Sequence, residues 1–389
     1  MLILNNITIK QISSVFFMNI ALIDNDLCTR KGSHFPNLAL MKLSSYHKSI
    51  GDNVELININ EMNGLFQSQY DKVYCAKVFS DTETPNYLQN KGIIFGGSGF
   101  YFDKAKRLPN EIEHSMPDYN LYSKRVIDRY SAANRQQYFT KFSIGFTTRG
   151  CIRRCGFCIN RNERTVYKHS ELTEFVDDSR PFIMLLDDNI VAYDKFEEVF
   201  NQLNATGKPF VYKQGMDFRL LDKRKMDVIF SSNYYSHSEN QQKGARIFHF
   251  AFDNYADRKL IENNLNIYYT NKAYAFKVIF YVLTGFDRTN RYDSNFFEKD
   301  FEEMLLRCEI LFKYNAYPYL MFHENYKLSP YKRMFERLRL IINSPMRYTN
   351  KTIYEAIEQS NYTDLIDFMK LKYDWFLKLR FESRMLARI

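Results

Sequence analysis

Neither a disulfide framework, a membrane-spanning helix nor an export signal is expected from this sequence. Six cysteines in 389 residues are too few for a disulfide scaffold. Three of them, Cys28, Cys75 and Cys308, stand far apart and read as buried, inert thiols. No apolar run approaches the ~20 residues that a membrane-spanning helix needs, so no helical span is expected. The stretch from Ile12 to Ile23 is fairly apolar, but it meets Asp24-Asn25-Asp26 where a signal peptide would have a small-residue cleavage site. A buried first strand, opening near Met18 and ending at those polar residues, accounts for the pattern better. A cytoplasmic location is therefore expected. Tryptophan is nearly absent, one residue against 34 Phe and 29 Tyr. With abundant Lys, Asn and Ile, this is the bias an AT-rich coding sequence produces, and no function is read from it.

What is present suffices for a large core. A chain of 389 residues predicts two or three domains, and at that size roughly three quarters of the unfolded surface is buried. From about Asn19 to Tyr122 strand and helix patterns alternate. The strands are expected at Ile20–Asp24, Val54–Ile59, Lys72–Ala76 and Gly92–Phe95, with a helix over Leu38–Ile50. Alternating βα units predict a parallel, doubly wound sheet. Gly96-Gly97-Ser98-Gly99 follows the last strand. It is either a loop for close approach of a ligand or a plain tight turn.

A second series of strands is expected at Phe142–Thr148, Phe182–Leu186, Phe210–Gln214, Arg246–Phe252, Lys277–Leu283 and Tyr317–Phe322. Helices such as Tyr193–Asn204 and Phe296–Tyr314 lie between them. Six βα units fit an open, partial (β/α)6 TIM-type barrel, whose chemistry gathers at the carboxyl ends of the strands. Those ends are polar here: Asp187-Asp188-Asn189, Gln214 to Arg219, Asp253-Asn254, Thr284 to Asp287, and His323-Glu324.

The most informative segment follows the first of these strands. Cys151, Cys155 and Cys158 are spaced C-x-x-x-C-x-x-C. Thiolates are the ligands iron–sulfur clusters select. Three cysteines would leave one iron of a four-iron cluster without a protein ligand, and an open position is where metal chemistry occurs. Zinc is the alternative. It usually takes four ligands, and no fourth Cys or His stands at zinc-finger spacing; His169 is the nearest histidine. Arg149, Arg153, Arg154, Arg161 and Arg164 surround the cysteines, and this positive charge is expected to lower the thiol pKa values.

With Phe157 just before its last cysteine, this loop resembles the signature of the radical S-adenosylmethionine (radical SAM) enzymes. The resemblance implies a [4Fe–4S] cluster on Cys151, Cys155 and Cys158, with S-adenosylmethionine chelated to the unique iron by its amino and carboxylate groups. It implies one-electron cleavage to a 5′-deoxyadenosyl radical that abstracts hydrogen from a substrate, which stays unnamed. It also implies an external electron donor of flavodoxin or ferredoxin type. Asp187, Asp188 and Asn189 take the place where the family meets the S-adenosylmethionine amino group. Gln214-Gly215-Met216-Asp217-Phe218-Arg219-Leu220-Leu221 resembles a Q-G-L-D-I-R-L-L motif, making Gln214 and Arg219 candidates for the ribose and carboxylate. Gly285 would face the adenine and the Phe157 backbone would read its edge. Asp253 joins this cofactor-binding set from the fourth strand end.

The first part resembles the cobalamin-binding-type, Rossmann-like domain that precedes the radical domain in some of these families. The matching stretches include Phe35 to Leu40, Gly51 to Leu56 and Met116 to Tyr119. The axial-ligand motif D-x-H-x-x-G is absent; His47 has Ser45, not Asp, two residues before it. His47 thus reads as a surface or satisfied helix histidine, and cobalamin is left open. The expected organisation is a Rossmann-like domain over 18–125, a radical SAM partial barrel over 140–326 and a helical extension over 327–389. Residues 331–389 hold 12 Lys and Arg against 7 Asp and Glu within a net charge of +9. Such a tail can bind nucleic acid or be a solvated face. A cobalamin-dependent methyltransferase and a non-enzymatic zinc or nucleic-acid-binding module are the competing readings.

Overall fold

The structure is a computed structural model that describes residues 17–29, 35–58, 69–89, 92–234, 246–271, 273–274 and 276–382. The chain forms two compact units, Met1–Thr140 and Lys141–Ile389. The residues from Lys327 onward fall within the second unit. Among the described residues, no helix is long and apolar enough to cross a membrane.

The first unit is built on four parallel strands, β1 (Asn19–Asp24), β2 (Asn53–Leu56), β3 (Lys72–Ala76) and β4 (Ile93–Gly96), in the order β2-β1-β3-β4. β1 is central, and its run Ile20-Ala21-Leu22-Ile23 is fully buried. Ile20 and Leu22 pack with Leu40, Leu43, Ile112 and Ile127, while Ala21 and Ile23 pack with Val73, Cys75 and Leu88. Successive side chains of one strand thus enter two cores, as expected for a parallel sheet covered on both faces. The helix Leu38–Ser49 begins where the Asn37 side chain accepts the Leu40 amide at 3.3 Å.

His47 is satisfied. Its Nδ1 lies 2.6 Å from Asp52 and its Nε2 3.2 Å from the Tyr74 hydroxyl, so neither ring nitrogen is left for a cobalt ion. The glycine loop is explained by its own chain. Gly97 has φ +97°, and a Cβ there would run into the Lys77 carbonyl; one on Gly99 would lie 2.7 Å from the Phe79 carbonyl. Asp24, at the end of β1, is buried and accepts the Tyr122 hydroxyl at 2.6 Å. Burial pushes its carboxyl up to about 7. Cys75 is buried, as is Cys308 in the other unit, and the Cys28 side chain lies outside the described residues.

The second unit contains β5 (Phe142–Gly145), β6 (Thr148–Gly150), β7 (Val166–Lys168), β8 (Phe182–Leu185), β9 (Phe210–Tyr212), β10 (Ile247–Ala251), β11 (Lys277–Thr284) and β12 (Tyr317–Phe322). β5-β8-β9 form one parallel sheet and β10-β11-β12 another. Between them stands Met216, whose amide donates to His249 O at 2.9 Å and whose carbonyl accepts from Ala251 N at 3.2 Å. The six parallel strands expected of an open, partial barrel are present as two three-stranded sheets that do not close, and among the described residues Met216 forms the bridge between them. β9 ends at Tyr212.

Helices Phe196–Ala205, Lys223–Ser231, Arg258–Thr270 and Ser294–Lys313 connect the strands. One face of the second sheet is sealed by aromatic contacts, such as Phe230 on Phe248 and Phe218 on Phe280, both at 4.8 Å. Within the helical extension expected over 327–389, the last long helix is interrupted. It runs Thr363–Lys372, breaks at Tyr373 and resumes over Asp374–Leu377. Tyr373 and Phe376 are buried there, so packing of the aromatics overrides the charged helical pattern.

Candidate active site at the cysteine loop

The expected first strand, Phe142 to Thr148, is two elements. β5 stops at Gly145, and β6 turns to pair antiparallel with β7, Gly150 opposite Val166. This hairpin holds the two ends of the cysteine loop together. Gly150 has φ +92°, and a Cβ there would collide with the Thr165 carbonyl, so the position requires glycine.

The end of β8 fixes the loop. Asp187 is buried and accepts four hydrogen bonds, from the amides of Thr147 (3.0 Å) and Thr148 (2.6 Å) and from their hydroxyls (2.6 and 2.7 Å). Burial pushes its carboxyl above the usual range, against the pull of those bonds. Asp187 is therefore turned into the loop's own backbone. Asp188 accepts the Gly150 amide at 2.8 Å and the Asn160 side chain at 2.7 Å, gripping the loop on both sides of the cysteines. Asn189 donates from Nδ2 to Cys151 Sγ at 3.4 Å, and its buried Oδ1 has no partner.

The sulfurs also receive backbone donors. Arg153 N lies 3.3 Å from Cys151 Sγ, and Asn160 N lies 3.4 Å from Cys158 Sγ. Such N–H···S contacts favour thiolate and tune a cluster. The expectation of lowered thiol pKa values is nevertheless overturned. Burial pushes Cys158 up to about 11, and Cys155, Cys151 and Asp188 add to the rise. Cys155 is raised by burial and by Asp253, more than Arg219 and Arg288 lower it. The reason is that the nearby arginines are engaged. Arg153 is paired with Asp217 at 2.7 Å, and Arg219 bridges Asp217 at 2.6 Å and Asp257 at 2.8 Å. Arg149 lies over the Phe146 ring at 3.9 Å. Burial disfavours the Asp217 carboxylate, yet Arg219 and Arg153 hold it below the usual range. At Cys155 and Cys158 the chain alone thus presents thiols, which metal coordination would deprotonate.

The other expected cofactor residues divide. Gln214 is exposed beyond β9. Asp253 is pushed up to about 6 by burial, although Arg307 and the Leu283 amide pull it down. Gly285 has φ +79°, and a Cβ would lie 2.9 Å from Tyr326 Cβ. Its amide donates to Asp300 at 2.7 Å. Phe157 meets Phe286 edge to face at 5.4 Å, and Phe286 in turn meets His323 at 5.1 Å. The structure therefore brings the cysteine loop together with the ends of β8, β11 and β12.

Two contributors were not found from sequence. Arg307 is fully buried, and its Nη1 donates to the carbonyls of Phe252 (3.0 Å), Asp253 (2.9 Å) and Leu283 (2.9 Å), tying the ends of β10 and β11. Asp300, on the same helix, holds Gly285. The available signal was a lone arginine on the apolar stripe Met304, Cys308, Leu311. The second is β7, whose three residues are too short for any alternation to register.

Chemically, three soft donors, two of them with amides on their sulfurs, suit a cluster that lacks one protein ligand. Among the described residues, no three His, Cys, Asp or Glu side chains surround a common point for a single metal ion.

No protein-family model matches the chain, and no curated protein matches it by sequence. Among solved structures, the cobalamin-dependent S-adenosylmethionine radical enzyme OxsB with aqua-cobalamin bound is similar with a TM-score of 0.36 and 12% identity, over 79% of this chain and 49% of that one. The apo, SeMet-labeled form of the same enzyme gives 0.33 and 13% over the same shares. The chain spans about half the length of those structures. At TM-scores this low, neither likeness carries an argument about this chain.

Proposed function

We propose that this chain is a radical SAM enzyme, with Cys151, Cys155 and Cys158 as ligands of a [4Fe–4S] cluster. The observation that supports this most directly is the construction of the loop. It is closed at its base by a hairpin, gripped by Asp188, and supplied with N–H donors at two of its three sulfurs. When bound, such a cluster supplies the electron that cleaves S-adenosylmethionine to a 5′-deoxyadenosyl radical.

The chain's own residues have separable tasks in this reading. Asp188 and Asn189 hold the loop, and the unpartnered Asn189 Oδ1 is an acceptor suited to the cofactor's ammonium. Asp187 holds the loop from beneath. Asp253 and Gly285 line the nucleoside side, and exposed Gln214 can meet the ribose. Arg219 keeps Asp217 and Asp257 in place and is less suited to a ligand carboxylate than its sequence position suggested. An external flavodoxin- or ferredoxin-type donor would supply the electron, and the reducing cytoplasm suits an oxygen-sensitive cluster. Cobalamin has no histidine ligand at His47, so methyl transfer is the weaker variant.

Anaerobic purification with cluster reconstitution tests the reading. The expected protein is brown, contains iron and inorganic sulfide, and forms 5′-deoxyadenosine from S-adenosylmethionine and dithionite. Cys→Ala changes at the three positions are expected to abolish both signals. Colourless protein, or one zinc per chain without sulfide, would sink the proposal. A cobalamin absorption band would instead favour the methyltransferase variant.

A further inference from the structure

In β10 and β11, alternate residues pack into the helices: Phe248, Phe250, Phe280 and Val282 are buried. The intervening positions and β12 make a second face that the cysteine loop does not use. His249 stacks on Tyr281 with ring centroids 5.6 Å apart and planes 23° apart. Tyr319 meets Tyr281 edge on at 5.9 Å. The register sets Ala251 and Tyr319 on either side of Tyr281, so the ring has a small neighbour on one side. Gly215 leaves further space, since a Cβ there would come within 2.9 Å of that ring. Tyr319 is 42% exposed and Met321 43%, so these side chains are not core filling.

Two ammonium groups flank this aromatic wall. Burial, with Lys213 and Lys277 close by, holds His249 down to about 4, so its ring is neutral at pH 7. Lys277 is half-buried and lies 4.5 Å over the Tyr317 ring. Burial lowers its pKa, and no carboxylate among the described residues offsets that. A partly desolvated cation without a counter-charge is costly and is relieved by an anion.

We propose that this face binds a small substrate with a planar ring and an anionic group, the ring against Tyr281, His249 and Tyr319 and the anion on Lys277. The inference rests on the enzyme reading above and narrows its substrate class. A neutral ligand would stack but leave Lys277 uncompensated, and a cationic one would be repelled.

Calorimetry on the full chain tests it with two pairs of probes: 4-hydroxybenzoate against 4-hydroxybenzamide, and uridine 5′-monophosphate against uridine. The anionic member of at least one pair is expected to bind roughly ten- to a hundredfold tighter than its neutral partner, the range for one charge-assisted hydrogen bond. Raised salt should narrow the gap, and Lys277→Met should remove it. Tyr319→Ala should weaken both members alike, because it removes stacking only. The tighter anion shows whether a carboxylate or a phosphate is preferred. Equal binding within both pairs, no binding by any of the four, or an undiminished anion preference in Lys277→Met would overturn the proposal. Circular dichroism of each variant separates misfolding from lost binding. Iron and sulfide analysis reports separately on the cluster, so either idea can fail without the other.

Discussion

Adjacent carboxylates at the end of β8 do different work, and only their surroundings tell them apart. Asp187 is enclosed by four donors from Thr147 and Thr148. Asp188 reaches across the loop to Gly150 and Asn160. Removing the second should loosen the loop without opening the core. Asp188→Ala is therefore expected to keep its circular dichroism spectrum while its reconstituted iron content falls at least severalfold. Full iron loading would show that the hairpin alone holds the cysteines. The three cysteines and the aromatic before the last were legible in sequence, because their spacing is local. The division of labour at Asp187-Asp188-Asn189 was not, since a carboxylate reads the same whether it faces a ligand or a backbone amide. The arginines mislead for the same reason. Their number is visible in the chain, whereas the pairing of Arg153 with Asp217 comes from a residue far along it.

Among the elements, the hairpin of β6 and β7 and the helix Ser294–Lys313 set the geometry. Gly150→Ala places a Cβ against the Thr165 carbonyl at φ +92°. The expected cost is about 1–3 kcal/mol, measured by denaturant titration, with a matching loss of cluster retention; an unaltered midpoint would mean that the hairpin adjusts freely. The helix acts through Arg307. A lysine keeps the charge but cannot serve the carbonyls of Phe252, Asp253 and Leu283 together. Arg307→Lys is expected to lower stability by about 1–3 kcal/mol and to weaken S-adenosylmethionine binding while iron content stays normal. Unchanged affinity in a folded variant would remove Arg307 from the positioning of the strand ends. Most strands and helices lie within a few residues of their expected bounds, because apolar runs and periodicity mark them. The exceptions are β7, too short to register, and the split C-terminal helix, where buried Tyr373 and Phe376 decide the break.

For the whole molecule, the dependence of stability on pH exposes what folding did to buried carboxyls. Asp24 stands at about 7 in the native state against an ordinary 3.8. The folded chain keeps this proton across that window while the unfolded chain releases it. Its contribution is therefore fully present below 3.8 and is lost as pH rises through about 7. Asp24→Asn, which cannot ionise, should stabilise the protein at pH 8 by up to about 4 kcal/mol and have little effect at pH 4. Thermal melts of the two proteins across that range provide the check. An equal shift at every pH would show that the gain has another origin.

By itself the sequence determined the α/β class, the order of the parallel strands' segments, the absence of a candidate helical span and the three-cysteine loop, since each depends on spacing along the chain. The tertiary structure alone decided that the six strands part into two three-stranded sheets, which acids grip the loop, and where Arg307 enters. Those outcomes depend on burial and on partners distant in sequence, and both exist only once the chain has packed.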